Sequence, residues 1–388
     1  MQTVRIGVVG IGNMGSEHAQ YLFAGDIKGA VLSAVCDIKP ERLEWAKEQF
    51  GDKISYFGTY EDMLKANCMD AVIIAVPHYT HPEYVIKGFE AGLNVICEKP
   101  AGVYTKQVLK MNAAAEKSGK VFSMMYNQRT NPLYQKVREM VQGGQLGELK
   151  RCIWIITNWY RTQAYYNSGG WRATWSGEGG GVMLNQCPHN LDLWQWIFGM
   201  PKRIRACCYE GKYHNIEVED DVTAYAEYEN GATGVFITTT GEYPGTNRLE
   251  ITGDAGKLVV EGTKLTFWKL KTPERVHTFT CEESFQPPEY TVEEITIDED
   301  PPQHRGITQN FVNAILNGEK LLAPGVEGIN GLNISNAIFL SSWLDNWVEL
   351  PVDPELYYEK LQEKIKNSTF VKEEVKDAKV GLGNSFKN

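Results

Sequence analysis

The sequence predicts two fold classes in one chain. The first is an N-terminal α/β region with a doubly wound parallel sheet. The second is an α+β region with a large, mostly antiparallel open sheet. Three observations predict this. Short continuous apolar runs alternate with helical patterns over roughly the first 125 residues, as expected of strands buried on both faces. Beyond about residue 149 the strands lengthen and alternate polar with apolar side chains. The chain has 388 residues, 43% of them hydrophobic, enough for two separate cores.

In the first region strands are expected at 3–9, 31–36, 54–57, 71–76, 93–97 and 121–125. Helices are expected at 13–24, 41–50, 60–66, 82–91 and 105–118. Six strands joined by crossover helices match a nucleotide-binding topology. A helix at 132–141 then ends at Gly143-Gly144. Strands follow at 151–157, 202–209, 222–228, 232–240, 247–252, 257–261 and 265–270, with helical stretches at 181–198, 305–317 and 327–347. The expected division is 1–126, 127–353 and a charged C-terminal arm or tail, 354–388.

The formal net charge of −10 argues against nucleic acid or anionic lipid as the main partner and favours a small molecule. No apolar run is long enough to span a membrane, and the start of the chain lacks a basic, cleavable leader. A cytoplasmic protein is expected. Eight cysteines without a C-x-x-C pair read as free thiols in a reducing compartment. Seven histidines without an H-x-x-x-H or H-E-x-x-H pattern give no expectation of a metal.

Three constellations carry chemistry. Gly10-Ile11-Gly12-Asn13-Met14-Gly15 follows a strand and opens a helix. The first glycine permits the turn, the second lets backbone approach a pyrophosphate, and the third lets helix and strand pack closely. Asp37 ends the second strand, 22 residues past Gly15. A carboxylate there accepts from ribose hydroxyls and repels a 2′-phosphate, so NAD is expected over NADP. Lys39 and Arg42 lie nearby and soften that exclusion. The second constellation is at the ends of the fourth and fifth strands, Val76-Pro77-His78-Tyr79-Thr80-His81 and Cys97-Glu98-Lys99-Pro100. Lys99 is either an amine that holds a substrate hydroxyl or a surface lysine in the turn before a helix. The third is the glycine-rich segment running through Asn185 and His189 to Asp192. One helix would put Asn185 and His189 on a single face, with Asp192 placed to orient His189; Pro188 should bend that helix. His189 is either structural or a proton-transfer group.

These motifs together resemble the glucose–fructose oxidoreductase/inositol dehydrogenase (Gfo/Idh/MocA) family. The resemblance runs over roughly residues 3–350. It implies an N-terminal Rossmann domain, and a C-terminal α+β domain whose open sheet often serves as an oligomer interface, so a homo-oligomer (dimer or tetramer) is expected. Lys99 matches the family's catalytic lysine and His189 its catalytic histidine. Asn185 falls where many members carry an Asp, which leaves the proton balance to His189 and Lys99. His81, Glu98 and Pro77 match positions around the cofactor, and Asn127 a segment at the domain junction. Trp171 and Arg172 resemble a Trp-Arg element that reaches the active site. Around them stand Trp159, Tyr160, Tyr165, Tyr166 and Trp175, suited either to stacking on a sugar ring or to ordinary packing.

The expected function is an NAD(H)-dependent oxidoreductase acting on a sugar or cyclitol carbinol. Lys99, His189 and Asn185 are the candidate catalytic residues, and they contact substrate together with Trp171 and Tyr160. Gly10 to Gly15, Asp37, Pro77, His81, Glu98, Asn127 and Arg172 are candidate cofactor contacts. Two alternatives use the same motifs: a redox-assisted glycoside hydrolase or lyase that retains its NAD, and a non-catalytic NAD- or sugar-sensing regulator.

Overall fold

The structure is a computed structural model that describes residues 3–372; the end of the expected C-terminal arm lies outside the described residues. The chain forms two compact units. One takes the residues up to Thr130, Gly177–Gly179 and Pro301–Leu332; the other takes Asn131–Ser176, Gly180–Asp300 and the chain from Asn333.

In the first unit, β1 (Val4–Val9), α1 (Asn13–Ala24), β2 (Ala30–Cys36), α2 (Pro40–Phe50), β3 (Ser55–Phe57), α3 (Tyr60–Lys65), β4 (Ala71–Ile74), α4 (His81–Glu90), β5 (Asn94–Cys97), α5 (Thr105–Ser118) and β6 (Phe122–Met124) alternate. The six strands form one parallel sheet in the order β3-β2-β1-β4-β5-β6. Val-, Ile- and Ala-rich runs without alternation build it; every residue of β4 is buried. Strand order reverses between β1 and β4, the topological switch point where such sheets bind ligands at their carboxyl ends.

The second unit begins with α6 (Pro132–Gln142), β7 (Leu149–Ile156), α7 (Gln163–Tyr166), α8 (Val182–Asn185) and α9 (Pro188–Phe198). Strands β8 (Arg203–Glu210), β9 (Glu219–Glu227), β10 (Thr233–Thr239), β11 (Asn247–Gly253), β12 (Gly256–Glu261) and β13 (Lys264–Leu270) follow, then α10 (Glu274–Thr280) and β14 (Tyr290–Ile295). After α11 (Gln303–Asn317) and α12 (Gly328–Leu344), the chain adds β15 (Val348–Glu349) and α13 (Pro354–Asn367). The nine-stranded sheet runs β14-β13-β12-β11-β7-β10-β9-β8-β15. All pairs are antiparallel except central β7 with β10. Trp154, Trp194 and Phe236 pack together in its core.

The structure departs from the sequence reading in several places, among them the short elements α7 and β15, which were not expected. The expected 181–198 helix is two helices, α8 and α9, because Pro188 has no N–H to continue the ladder and instead starts α9. Elements α10 and β14 went unread because α10 buries no residue and β14 is exposed on both faces, leaving no periodic apolar signal. The start of the expected arm is a capped helix, α13, with Asp353 accepting from Glu355 and Leu356 N–H and only Tyr357 and Leu361 buried among charges. Finally, residues 301–332 return to the first unit. There Tyr21 bonds Thr308 at 2.7 Å, Arg129 pairs with Glu327 at 2.6 Å, and Met124 N–H donates to the Ala323 carbonyl beyond the β6 edge.

The loop between β8 and β9 winds around one buried acid. Asp220 accepts from the N–H groups of Lys212, Tyr213 and His214, and from His214 Nδ1 at 2.9 Å, while His214 Nε2 faces the Arg161 carbonyl at 2.8 Å. Burial opposes a charged imidazole, but Asp220 and the carbonyl outweigh it and the His214 pKa is raised. The resulting stabilisation is complete below the unfolded-state value of about 6.5 and is lost as pH rises through the folded value. Thermal melting should therefore fall between about pH 6 and 8, and His214→Gln should flatten that slope.

Candidate functional site

Strand β1 delivers the chain into the glycine loop. Gly10 sits at φ +82°, and a Cβ on it would press into the Ala75 carbonyl. A Cβ on Gly15 would overlap the carbonyl of Gly10. Gly12 is the opposite case, with no atom within 4 Å of where a Cβ would stand. The loop is thus closed on its sheet side and open where an anion would approach. Helix α1 starts at Asn13 with no acidic residue in its first turn, so its N-terminal dipole is unopposed by a local carboxylate. Asp37 is half-buried: Oδ2 accepts from Ile11 N–H at 2.9 Å and Oδ1 from Lys39 N–H at 2.9 Å. Each oxygen keeps lone-pair capacity for a hydroxyl donor. Open glycine, helix N-terminus and carboxylate together fit the pyrophosphate and ribose of a dinucleotide.

The ends of β4 and β5 lie at the same carboxyl edge. Pro77 leads into the short turn before α4, and its carbonyl accepts from Thr80 N–H. His81 is buried with Nδ1 2.7 Å from the Pro100 carbonyl and Nε2 2.7 Å from the Val76 carbonyl. It ties the β4 exit to the β5 exit. Burial pushes its pKa down, more than the two carbonyls raise it. Glu98 is also buried. Burial raises its pKa, but the His18 hydrogen bond and charges of His18, His304 and Lys99 hold it at about 2, so it is a carboxylate. Its Oε1 lies 2.7 Å from His18 Nε2 and its Oε2 accepts from Lys99 N–H at 3.2 Å. Asn127, just past β6, donates from Nδ2 to Gln303 Oε1, and its buried Oδ1 has no hydrogen-bond partner among the described residues.

The second unit carries Asn185 and His189 on different helices. Asn185 ends α8; His189 is the second residue of α9, and the chain turns at Gln186-Cys187 between them. The single-helix i, i+4 spacing therefore does not hold. The Asp192 carboxylate accepts from Gln195 Nε2 at 3.2 Å. Helix α8 is held by a residue the sequence did not single out, Glu219. Its fully buried carboxylate accepts from Gly181 N–H and Met183 N–H, both at 2.8 Å. A Cβ on Gly181 would collide with the Glu219 carbonyl, which accounts for glycine there.

Arg172 Nη1 donates to Tyr165 Oη at 2.7 Å and stacks near Tyr165 and Trp171, 4.4 and 4.7 Å from their ring centres. Gln186 Nε2 donates to the same phenol at 2.8 Å. This polar cluster thus reaches the residue after Asn185. Tyr160 is half exposed and neighbours Tyr243, while Tyr166 and Trp175 are core residues. Gln186, Glu219, His18 and His304 were not singled out from the sequence, since the partners that give each its place lie far away in the chain. Among the described residues, no group of three or more His, Cys, Asp or Glu could hold a metal, and no helix is long and apolar enough to cross a membrane.

Glu219→Ala would strand two buried N–H groups at the start of α8. It should cost about 3 kcal/mol in denaturant unfolding, and Glu219→Gln, which keeps one acceptor, should cost less.

Residues 4–126 match the oxidoreductase family model with an NAD-binding Rossmann fold, and residues 134–259 match the GFO/IDH/MocA C-terminal domain model. Myo-inositol 2-dehydrogenase of Thermotoga maritima is 26% identical over 273 residues, 68% of this chain and 77% of that protein. The rhizopine catabolism protein MocA of Rhizobium meliloti is 30% identical over 200 residues, 51% of this chain and 58% of that protein, so little more than half of its length is matched. Among solved structures, the WlbA dehydrogenase of Chromobacterium violaceum, in complex with NADH and UDP-GlcNAcA, superposes with a TM-score of 0.76 at 28% identity, covering 91% of this chain and 97% of that one. The glycine loop with its carboxylate, the β3-β2-β1-β4-β5-β6 sheet and the large second sheet are thus those of a dehydrogenase family, and the chain is an NAD-binding oxidoreductase of the Gfo/Idh/MocA family.

Proposed function

We propose that this protein is an NAD(H)-dependent dehydrogenase that transfers a hydride between a sugar or cyclitol carbinol and nicotinamide, with Lys99 and His189 as its catalytic pair. The observation that carries the reading is Lys99 at the carboxyl end of β5, on the same sheet edge as the glycine loop. The relatives that act on inositol, and the structure bound to a nucleotide sugar acid, support a polyhydroxylated substrate.

The N–H groups at the start of α1 would hold the pyrophosphate, and Asp37 the adenosine ribose hydroxyls. NAD, when bound, supplies the hydride acceptor. Lys99 holds the substrate hydroxyl oxygen and stabilises charge developing on it. His189 takes the hydroxyl proton at its imidazole, and Asn185 bonds a neighbouring hydroxyl, which an amide can do without moving a proton. Trp171 and Tyr160 offer ring faces to the sugar, and Arg172, Pro77, His81, Glu98 and Asn127 line the cofactor side.

A panel of inositols, aldoses, glycosides and sugar acids, read by NADH absorbance, tests this. Net NADH formation is expected. Turnover of a glycoside with no net NADH would instead mark a retained-cofactor hydrolase or lyase, and NADH binding without turnover a sensor. On the substrate so found, Lys99→Ala and His189→Ala should each lower kcat by about 10²- to 10⁴-fold. Unchanged turnover in Lys99→Ala would overturn the assignment. Asp37→Ser should raise kcat/KM for NADP relative to NAD by about tenfold or more, with Lys39 and Arg42 left to meet the 2′-phosphate.

A further inference from the structure

Lys99 stands between two residues that buried imidazoles hold. On one side His81 meets the Pro100 carbonyl. On the other, His18 meets the Glu98 carboxylate, and Glu98 in turn accepts from the Lys99 N–H. His18 is fully buried, and it is the second imidazole's placement that is unexpected. It lies on α1, the helix that begins at the glycine loop, on the inward stripe formed by Gly15, His18, Ala19, Tyr21 and Leu22. An apolar side chain would fill that stripe more cheaply than a polar one.

The imidazole is bonded at both nitrogens. Nε2 is 2.7 Å from Glu98 Oε1 and Nδ1 is 2.8 Å from Tyr21 Oη. The Tyr21 hydroxyl is 2.7 Å from Thr308 Oγ1, and Thr308 Oγ1 donates to the His304 carbonyl at 3.0 Å. Because an ionised carboxylate only accepts, Nε2 must carry the proton toward Glu98. The charged groups that bear on this chain are Glu98, Lys99, Glu17 and Arg305; His304, 5.7 Å away ring to ring, is kept neutral by burial, which pushes its pKa down to about 4.

We propose that His18 is a positioning residue: through its Nε2–H bond to Glu98 it locks the backbone that presents Lys99 to the helix that receives the cofactor phosphates. This deepens the dehydrogenase reading and rests on it for the role of Lys99. Helix α1 runs unbroken over this span, so a pyrophosphate seated at its N-terminus and a lysine seated beyond β5 are referenced to one element. A misplacement of about 1 Å in such a group costs on the order of 10²-fold in rate.

The amide analogues separate the two bonds. His18→Gln puts an N–H donor near Nε2 and keeps the Glu98 bond. His18→Asn reaches only the Nδ1 position, near Tyr21. With the substrate that wild type turns over, His18→Asn should lower kcat by about 10- to 100-fold while NADH affinity, by fluorescence titration, stays within about threefold. His18→Gln should recover most of the loss. A second readout needs no turnover: acylation of Lys99 by acetic anhydride in the full chain, by peptide mass spectrometry against exposed Lys110 and Lys117. With its His18 bond gone, the Glu98 carboxylate turns to Lys99 and holds it as ammonium, so labelling in His18→Asn should slow by about threefold or more and recover in His18→Gln.

Equal behaviour of the two variants, or wild-type Lys99 labelling in both despite a lower melting temperature, would show that His18 only fills space and overturn the proposal. If wild type has no dehydrogenase activity on any substrate class, the reading of Lys99 fails instead, and the labelling result still decides the His18 link.

Discussion

A carboxylate withdrawn from water must be met by donors, and four carboxylates fix backbone corners of this protein, three of them beside candidate site residues. Asp37 holds the glycine loop through Ile11 N–H. Glu98 holds the Lys99 corner through Lys99 N–H and reaches His18. Glu219 holds the start of α8, and Asp220 the loop before β9. In each case the acid accepts from backbone. An ionised acceptor makes stronger bonds than a neutral one, and a buried N–H left unmet costs more than a made bond contributes net. The same acids therefore fix backbone geometry more tightly than apolar packing at those points would.

This arrangement separates two tasks. Apolar packing supplies stability: β1, β4 and β5 are short runs buried on both faces, and Trp154, Trp194 and Phe236 fill the second unit's core. The polar anchors contribute position. They sit where regular structure ends, at the exits of β2 and β5 and the entries of α8 and β9, which is where main-chain groups lose their ladder partners. Candidate site residues lie close to these contacts in the chain: Gly12 next to Ile11, Lys99 next to Glu98, and Asn185 two residues past Met183.

Legibility in the sequence followed periodicity. The parallel sheet was readable because each strand is a continuous apolar run and each helix a repeating stripe, and the glycine loop because steric necessity allows few substitutes at Gly10 and Gly15. The α8–α9 break was misread as one helix because Pro188 is as much at home at the start of a helix as at a kink. Elements α10 and β14 bury almost nothing, so no pattern marks them. His18 carries no sign of its role in the sequence, because only a residue 80 positions further on makes it a partner for Glu98.

The sequence by itself determined the fold of the first unit, its strand order class, the dinucleotide loop and the identities of the candidate reactive groups, since these follow from local sterics, spacing and side-chain chemistry. Tertiary structure alone decided which acid each backbone corner answers to, that residues 301–332 fold with the first unit, and that the helix of the glycine loop grips the corner bearing Lys99. Those are contacts between residues far apart in the chain, and no local preference of either partner encodes the other's address.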